Sequence, residues 1–137
     1  MTEPSRYFAD ENAIGLAKIL IRDHHRLDVI YSAIEEIPRG TPDLTWMPIV
    51  GERGWIILTR DRRIRTRPAE QLAYWEHGLR SVWIGGKQDH TSMELAEIFL
   101  QHEERLRRLT IKLGGGPWAL TMSRSGIRPL RLRQPKS

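Results

Sequence analysis

The sequence predicts an α/β fold in which a mostly parallel sheet of four to five strands carries helices on both faces. Three observations lead there. Short apolar runs such as Tyr7-Phe8-Ala9 and Trp55-Ile56-Ile57-Leu58-Thr59 are bounded by polar residues, as buried strands of a parallel sheet are. Longer stretches of helical periodicity separate these runs, giving an alternation βαβαβαβα with right-handed crossovers. The 137 residues include no cysteine, and that length suits one domain whose core needs neither disulfide nor structural metal.

Residues 6–10 read as the first strand. Asn12 caps a helix over 13–22, whose Ile14, Leu16, Ala17, Ile19 and Leu20 form an apolar face. The second strand covers 27–31. A linker through Pro38, Arg39-Gly40 and Thr41-Pro42 leads to a short helix over about 45–52, capped by Asp43 or Thr45. Pro48 is tolerable there only near the first turn. Gly51 and Gly54 end that helix and open the third strand, 54–59. Pro68 starts a helix over 69–77 that stops at Gly78, and 80–84 is the fourth strand. Thr91-x-x-Glu94 forms a capping box before the longest helix, from 92 to about 113, which Gly114-Gly115-Gly116-Pro117 ends. Residues 118–122 add a strand, and 127–132 suit an edge strand in the tail. The domain is therefore assigned to 1–117, with a basic C-terminal strand and tail over 118–137.

Composition excludes several classes of chemistry. Without cysteine there are no thiolate zinc sites and no thiol nucleophiles. No apolar stretch approaches the roughly 20 residues of a membrane span. Met1-Thr2-Glu3-Pro4 lacks the basic-then-apolar layout of a signal peptide, so a cytoplasmic protein without a membrane partner is expected. The net charge of +5 is unevenly distributed: residues 105–137 hold nine basic residues and no acid, whereas 1–104 hold 13 basic and 17 acidic. A second basic cluster, Arg60, Arg62, Arg63, Arg65 and Arg67, surrounds Asp61. Arginine suits bidentate phosphate contacts, and basic stripes are the electrostatic footprint of nucleic-acid binding. A solvated face or a strip docking an acidic protein would use the same charges.

Carboxylates at the strand ends carry the strongest chemical signal. In open α/β sheets, ligands sit beyond the carboxyl ends of the strands. Asp10 follows the first strand, Asp61 follows the third, and Asp43 starts a helix; Glu11 is a further oxygen donor. Like charges brought together there repel unless a cation fills the pocket. Oxygen donors of this kind select hard divalent cations, Mg²⁺ or Mn²⁺. Two such ions about 3.5–4 Å apart can activate a water and stabilise the leaving oxygen of a phosphodiester. Aspartate is also a favoured capping residue, which is the ordinary alternative at each position. Thr59, two residues before Asp61, lies on the same face of its strand and can orient a carboxylate or a water.

These residues carry a resemblance. Phe8-Ala9-Asp10-Glu11-Asn12, Pro42-Asp43-Leu44-Thr45-Trp46-Met47-Pro48 and Gly54-Trp55-Ile56-Ile57-Leu58-Thr59-Arg60-Asp61-Arg62-Arg63-Ile64 together resemble the PIN-like domains of VapC-type toxins. The closer likeness is to a small PIN-like branch with a Trp-x-Pro helix and a Thr-Arg-Asp-Arg-Arg-Ile segment, and it runs from about 6 to 113. The resemblance implies a Mg²⁺- or Mn²⁺-dependent endoribonuclease whose partners are an RNA substrate and a cognate antitoxin. It maps the metal-binding acids onto Asp10, Asp43 and Asp61 and the Thr-x-Asp motif onto Thr59. Arg60, Arg62, Arg63 and Lys87 are then candidates to hold the RNA backbone. An isologous dimer is the common default, and the resemblance points the same way. Such domains often carry a fourth acid further along, for which only Asp89 is available. The glycine-rich 114–117 segment and the basic tail lie outside the shared part.

Two other classes compete. A receiver-like, Mg²⁺-dependent phosphoacceptor would also place acids after the first and third strands, with Lys87 as its lysine. A catalytically inactive PIN-like module would bind RNA or an antitoxin without using the carboxylates. His24 and His25 point about 100° apart on a helix and suit no shared metal. His77 and His102 have no partner at ligand spacing, and Gly85-Gly86-Lys87 lacks the P-loop pattern.

Overall fold

Strands β1 (Tyr7–Ala9) and β3 (Ile56–Thr59) are buried along their whole length, as continuous apolar runs in the middle of a parallel sheet must be. The computed structural model describes residues 6–34, 36–60, 67–132 and 134. Its sheet has six strands in the order β2-β1-β3-β4-β5-β6, with β2 at Val29–Tyr31, β4 at Arg80–Ile84, β5 at Trp118–Ser123 and β6 at Gly126–Leu130. The first five are parallel, and β6 returns antiparallel along β5. The sheet therefore has six strands rather than four to five. The stretch after 117 joins it, since β5 pairs along its length with β4. Pro129 obscures β6 in the sequence, yet a proline is compatible with an edge strand, where one N–H is not needed for the ladder.

Side-chain alternation divides the core into two layers. Tyr7, Ala9, Ile56, Leu58, Val82 and Ile84 pack with α1 (Ile14–Asp23) and α4 (Ser92–Leu113). Phe8, Ile57 and Trp83 pack on the other face with α2 (Asp43–Arg53) and α3 (Pro68–His77). The expected helices on both faces are present. Ring contacts fasten each layer: Tyr7 meets Phe99 edge-on at 5.3 Å, and Phe8 meets Trp46 at 5.3 Å.

Local signals explain most boundaries. Thr91 Oγ1 accepts from the Glu94 backbone N–H at 3.1 Å, and Glu94 accepts from that of Thr91 at 3.0 Å, completing the capping box. Gly78 ends α3 in the left-handed region that glycine adopts without penalty. Helix α2 begins at Asp43, earlier than expected, so Pro48 falls beyond the first turn. It cannot donate to the carbonyl of Leu44, an exposed residue one turn earlier. Among the described residues no helix is long and apolar enough to cross a membrane.

Candidate active site at the carboxyl edge of the sheet

The strand order creates a crevice. β1 and β3 are neighbours, yet the helices that follow them, α1 and α3, lie on opposite faces of the sheet. Such a switch point is where open α/β sheets bind ligands. Extending the register by one residue from Ala9 opposite Leu58 sets Asp10 beside Thr59. Thr59 is paired with Trp83, Trp83 with Thr121, and Thr121 with Arg128. One row on the α2/α3 face thus runs Asp10, Thr59, Trp83, Thr121, Arg128 across the carboxyl edge.

Asp10 is 4% exposed, and although it precedes the 3-10 turn Glu11–Ala13, its side chain caps nothing. Its Oδ2 instead accepts from the Thr59 hydroxyl at 2.5 Å, between two buried groups. That length lies at the short end for a hydroxyl on a carboxylate. Asn12 Oδ1 accepts from the Arg60 backbone N–H at 2.9 Å and lies 3.3 Å from Thr59 Oγ1. The turn after β1 is thereby fastened to the chain as it leaves β3. Asp43 opens α2, where the helix N-terminus favours negative charge, and its carboxylate accepts from Trp46 Nε1 at 3.1 Å.

Tyr74 reports on both acids. Burial pushes its hydroxyl well above the ordinary tyrosine range; the Ser81 side chain opposes that shift, while the charges of Asp10 and Asp43 reinforce it. Asp10, Thr59 and Asp43 therefore share one end of the molecule, with a neutral phenol within electrostatic reach of both carboxylates.

The remaining candidates are placed as follows. Asp61, Arg62 and Arg63 lie outside the described residues. Glu11 is exposed, and its carboxylate accepts from the Gly40 backbone N–H, which ties it to the linker before α2. Arg60 donates to the Ile84 carbonyl at 2.6 Å and to that of Gln88 at 3.1 Å, so its guanidinium braces the loop after β4. Lys87 stands exposed on that loop and makes no hydrogen bond or ion pair among the described residues; Asp89 is also exposed. Among the described residues no three His, Asp or Glu side chains converge as a metal-binding group, and Asp61 is not one of those residues. Sequence reasoning missed Tyr74, which spacing cannot separate from an ordinary helical core residue. It took Asn12 for a cap, although a side chain that short beside two strand ends can also tie them together.

A family model for the PIN like domain matches residues 5–86, from β1 through β4 and across the candidate acids Asp10, Asp43 and Asp61. The chain belongs to the PIN-like domain family. Comparison with curated proteins and with solved structures yields no match. PIN-like domains are generally nucleases, and this PIN-like domain has the α/β sheet expected of one. The match ends just after β4, so α4, β5 and β6 lie beyond it.

Proposed function

We propose that this PIN-like domain is a divalent-metal-dependent endoribonuclease, the VapC-type toxin of a type II toxin–antitoxin pair acting in the cytoplasm. The observation that carries the reading is the buried Thr59–Asp10 bond at the switch point, with Asp43 at the same edge. A capping role does not account for Asp10, because its side chain caps nothing.

The donor chemistry fits Mg²⁺ or Mn²⁺: carboxylate oxygens beside a hydroxyl, with no cysteine thiolate in the chain. Asp10, Asp43 and Asp61 would hold the ion, with Glu11 as a further oxygen donor. When bound, such an ion supplies an activated water and neutralises charge on the leaving oxygen. The chain's own residues do the positioning. Thr59 fixes the plane of the Asp10 carboxylate, and Asn12 holds the exit of β3 that leads to Asp61. Arg62, Arg63 and Lys87 draw in the polyanion, while Arg60 sets the loop that bears Lys87. An antitoxin would meet the basic α4 end or the C-terminal strands.

One observation favours a second reading. The parallel strands run 2-1-3-4-5, an order also used by receiver-like doubly wound domains. Incubation with acetyl phosphate separates the two, and no stable phosphoryl group is expected on this protein. The deciding experiment is RNA cleavage with Mg²⁺ and with EDTA, for the natural chain and for Asp61→Asn. Loss of cleavage in EDTA and in the folded variant is expected. Full activity of Asp61→Asn in excess Mg²⁺ overturns the assignment, and salt-sensitive RNA binding that never leads to cleavage identifies an inactive binding module.

A further inference from the structure

The row Asp10–Thr59–Trp83–Thr121 does not stop at the acids. Where it crosses from β3 to β6, a cavity of about 230 Å³ opens, and Thr59 is shared between it and the acidic crevice. Trp83, Ile84 and Leu130 supply apolar lining, Thr121 supplies a hydroxyl, and Lys87 supplies a cation. Three features suit a ligand with a flat apolar part and an anionic part. The volume is below the roughly 300–1,000 Å³ of sites for drug-sized ligands, so the occupant is a fragment about the size of one base. Lys87 has no protein partner among the described residues, leaving its ammonium available to an anion. The loop carrying it is held in place, because the Arg60 guanidinium bridges the Ile84 and Gln88 carbonyls on either side. Gly85 permits that brace: a Cβ there would overlap the Arg60 guanidinium and press on Leu95, and its φ of +95° is one that other residues rarely adopt.

We propose that this cavity seats one nucleotide of the RNA next to the phosphodiester to be cut in the acidic crevice, with the base against Leu130, Thr121 and the accessible edge of Trp83 and its phosphate on Lys87. Single-stranded RNA is read elsewhere through splayed-out bases seated in pockets, with cations along the backbone. The cation also answers an electrostatic need. A polyanion entering a crevice walled by carboxylates requires positive charge close by, and Lys87 provides it on the loop after β4.

The proposal rests on the nuclease reading, and its test separates the two. The full chain in EDTA is titrated with adenosine 5′-monophosphate, uridine 5′-monophosphate, adenosine and inorganic phosphate, following backbone amide NMR shifts. Nucleotides should shift Gly86, Lys87 and Thr121. Lys87→Ala should weaken nucleotide binding about tenfold and leave adenosine unchanged. Thr121→Trp should abolish both, and Thr121→Leu, which adds less bulk, should weaken both if the larger residue disturbs the fold. On RNA, Lys87→Ala should raise KM more than it lowers kcat. Nucleotide shifts at these amides without any RNA cleavage would support the cavity and sink the nuclease reading alone. Cleavage with KM unchanged in both Lys87→Ala and Thr121→Trp, or nucleotide shifts no different from those of inorganic phosphate, overturns the cavity proposal alone.

Discussion

Thr59→Val removes one oxygen and keeps the shape of the side chain, so it isolates the bond at the centre of the site. In the native fold the Thr59 hydroxyl donates to Asp10 Oδ2 at 2.5 Å, Thr59 is fully buried, and Asp10 is 4% exposed. A hydrogen bond to a charged group contributes about 1.5–3 kcal/mol, and here water cannot easily replace the lost donor. With a urea dependence of roughly 1–3 kcal/mol per molar for a small protein, the unfolding midpoint should fall by about 1 M. The same loss of orientation, at about 1.4 kcal/mol per decade of rate, should slow cleavage about 10- to 150-fold at saturating RNA. Urea unfolding followed by tryptophan fluorescence measures the first effect, and single-turnover cleavage of a labelled RNA measures the second. Thr59→Ser retains the hydroxyl and should recover most of both. A Val variant within about 0.2 M of the native midpoint, or a Ser variant as impaired as the Val one, would refute the reasoning.

Gly85→Ala should destabilise the fold by about 2–4 kcal/mol, because the new Cβ meets Arg60 and the backbone there is left-handed. Arg60→Ala in the same chain should relieve the steric part, so the two changes together should cost less than their sum in a double-mutant cycle. Alkaline stability should depend on Tyr7, whose hydroxyl is pushed up to about 12, first by burial and then by the Glu103 carboxylate. The unfolded chain releases that proton near pH 10 while the fold retains it, so stability present below pH 10 is lost as pH rises towards 12. The loss amounts to about 2–3 kcal/mol, and Tyr7→Phe should remove that part of the urea-midpoint decline. These outcomes do not depend on what the protein cleaves.

Elements with local causes were legible in the residues. The capping box at Thr91 and Glu94, the Gly78 stop and the fourth strand all appear where short-range stereochemistry requires them. The α2 start was read late, because Asp43 and Thr45 are both acceptable caps and only packing of Trp46, Met47 and Val50 under Phe8 selects the frame. Strand β6 was legible only as an edge, since Gly126-Ile127-Arg128-Pro129 has weak strand character until β5 offers it a ladder.

The sequence by itself determined the class of fold, the order of its first four strands and helices, and the positions of Asp10, Asp43 and Thr59 at strand and helix ends. Those properties follow from periodicity and from a few residues along a short length of chain. The tertiary structure alone decided that Thr59 donates to Asp10, that Tyr74 lies within electrostatic reach of Asp10 and Asp43, and that Arg60 braces a loop 24 residues away. Each of those depends on which strands become neighbours and in what register, and pairing of distant segments is set by how the whole core packs.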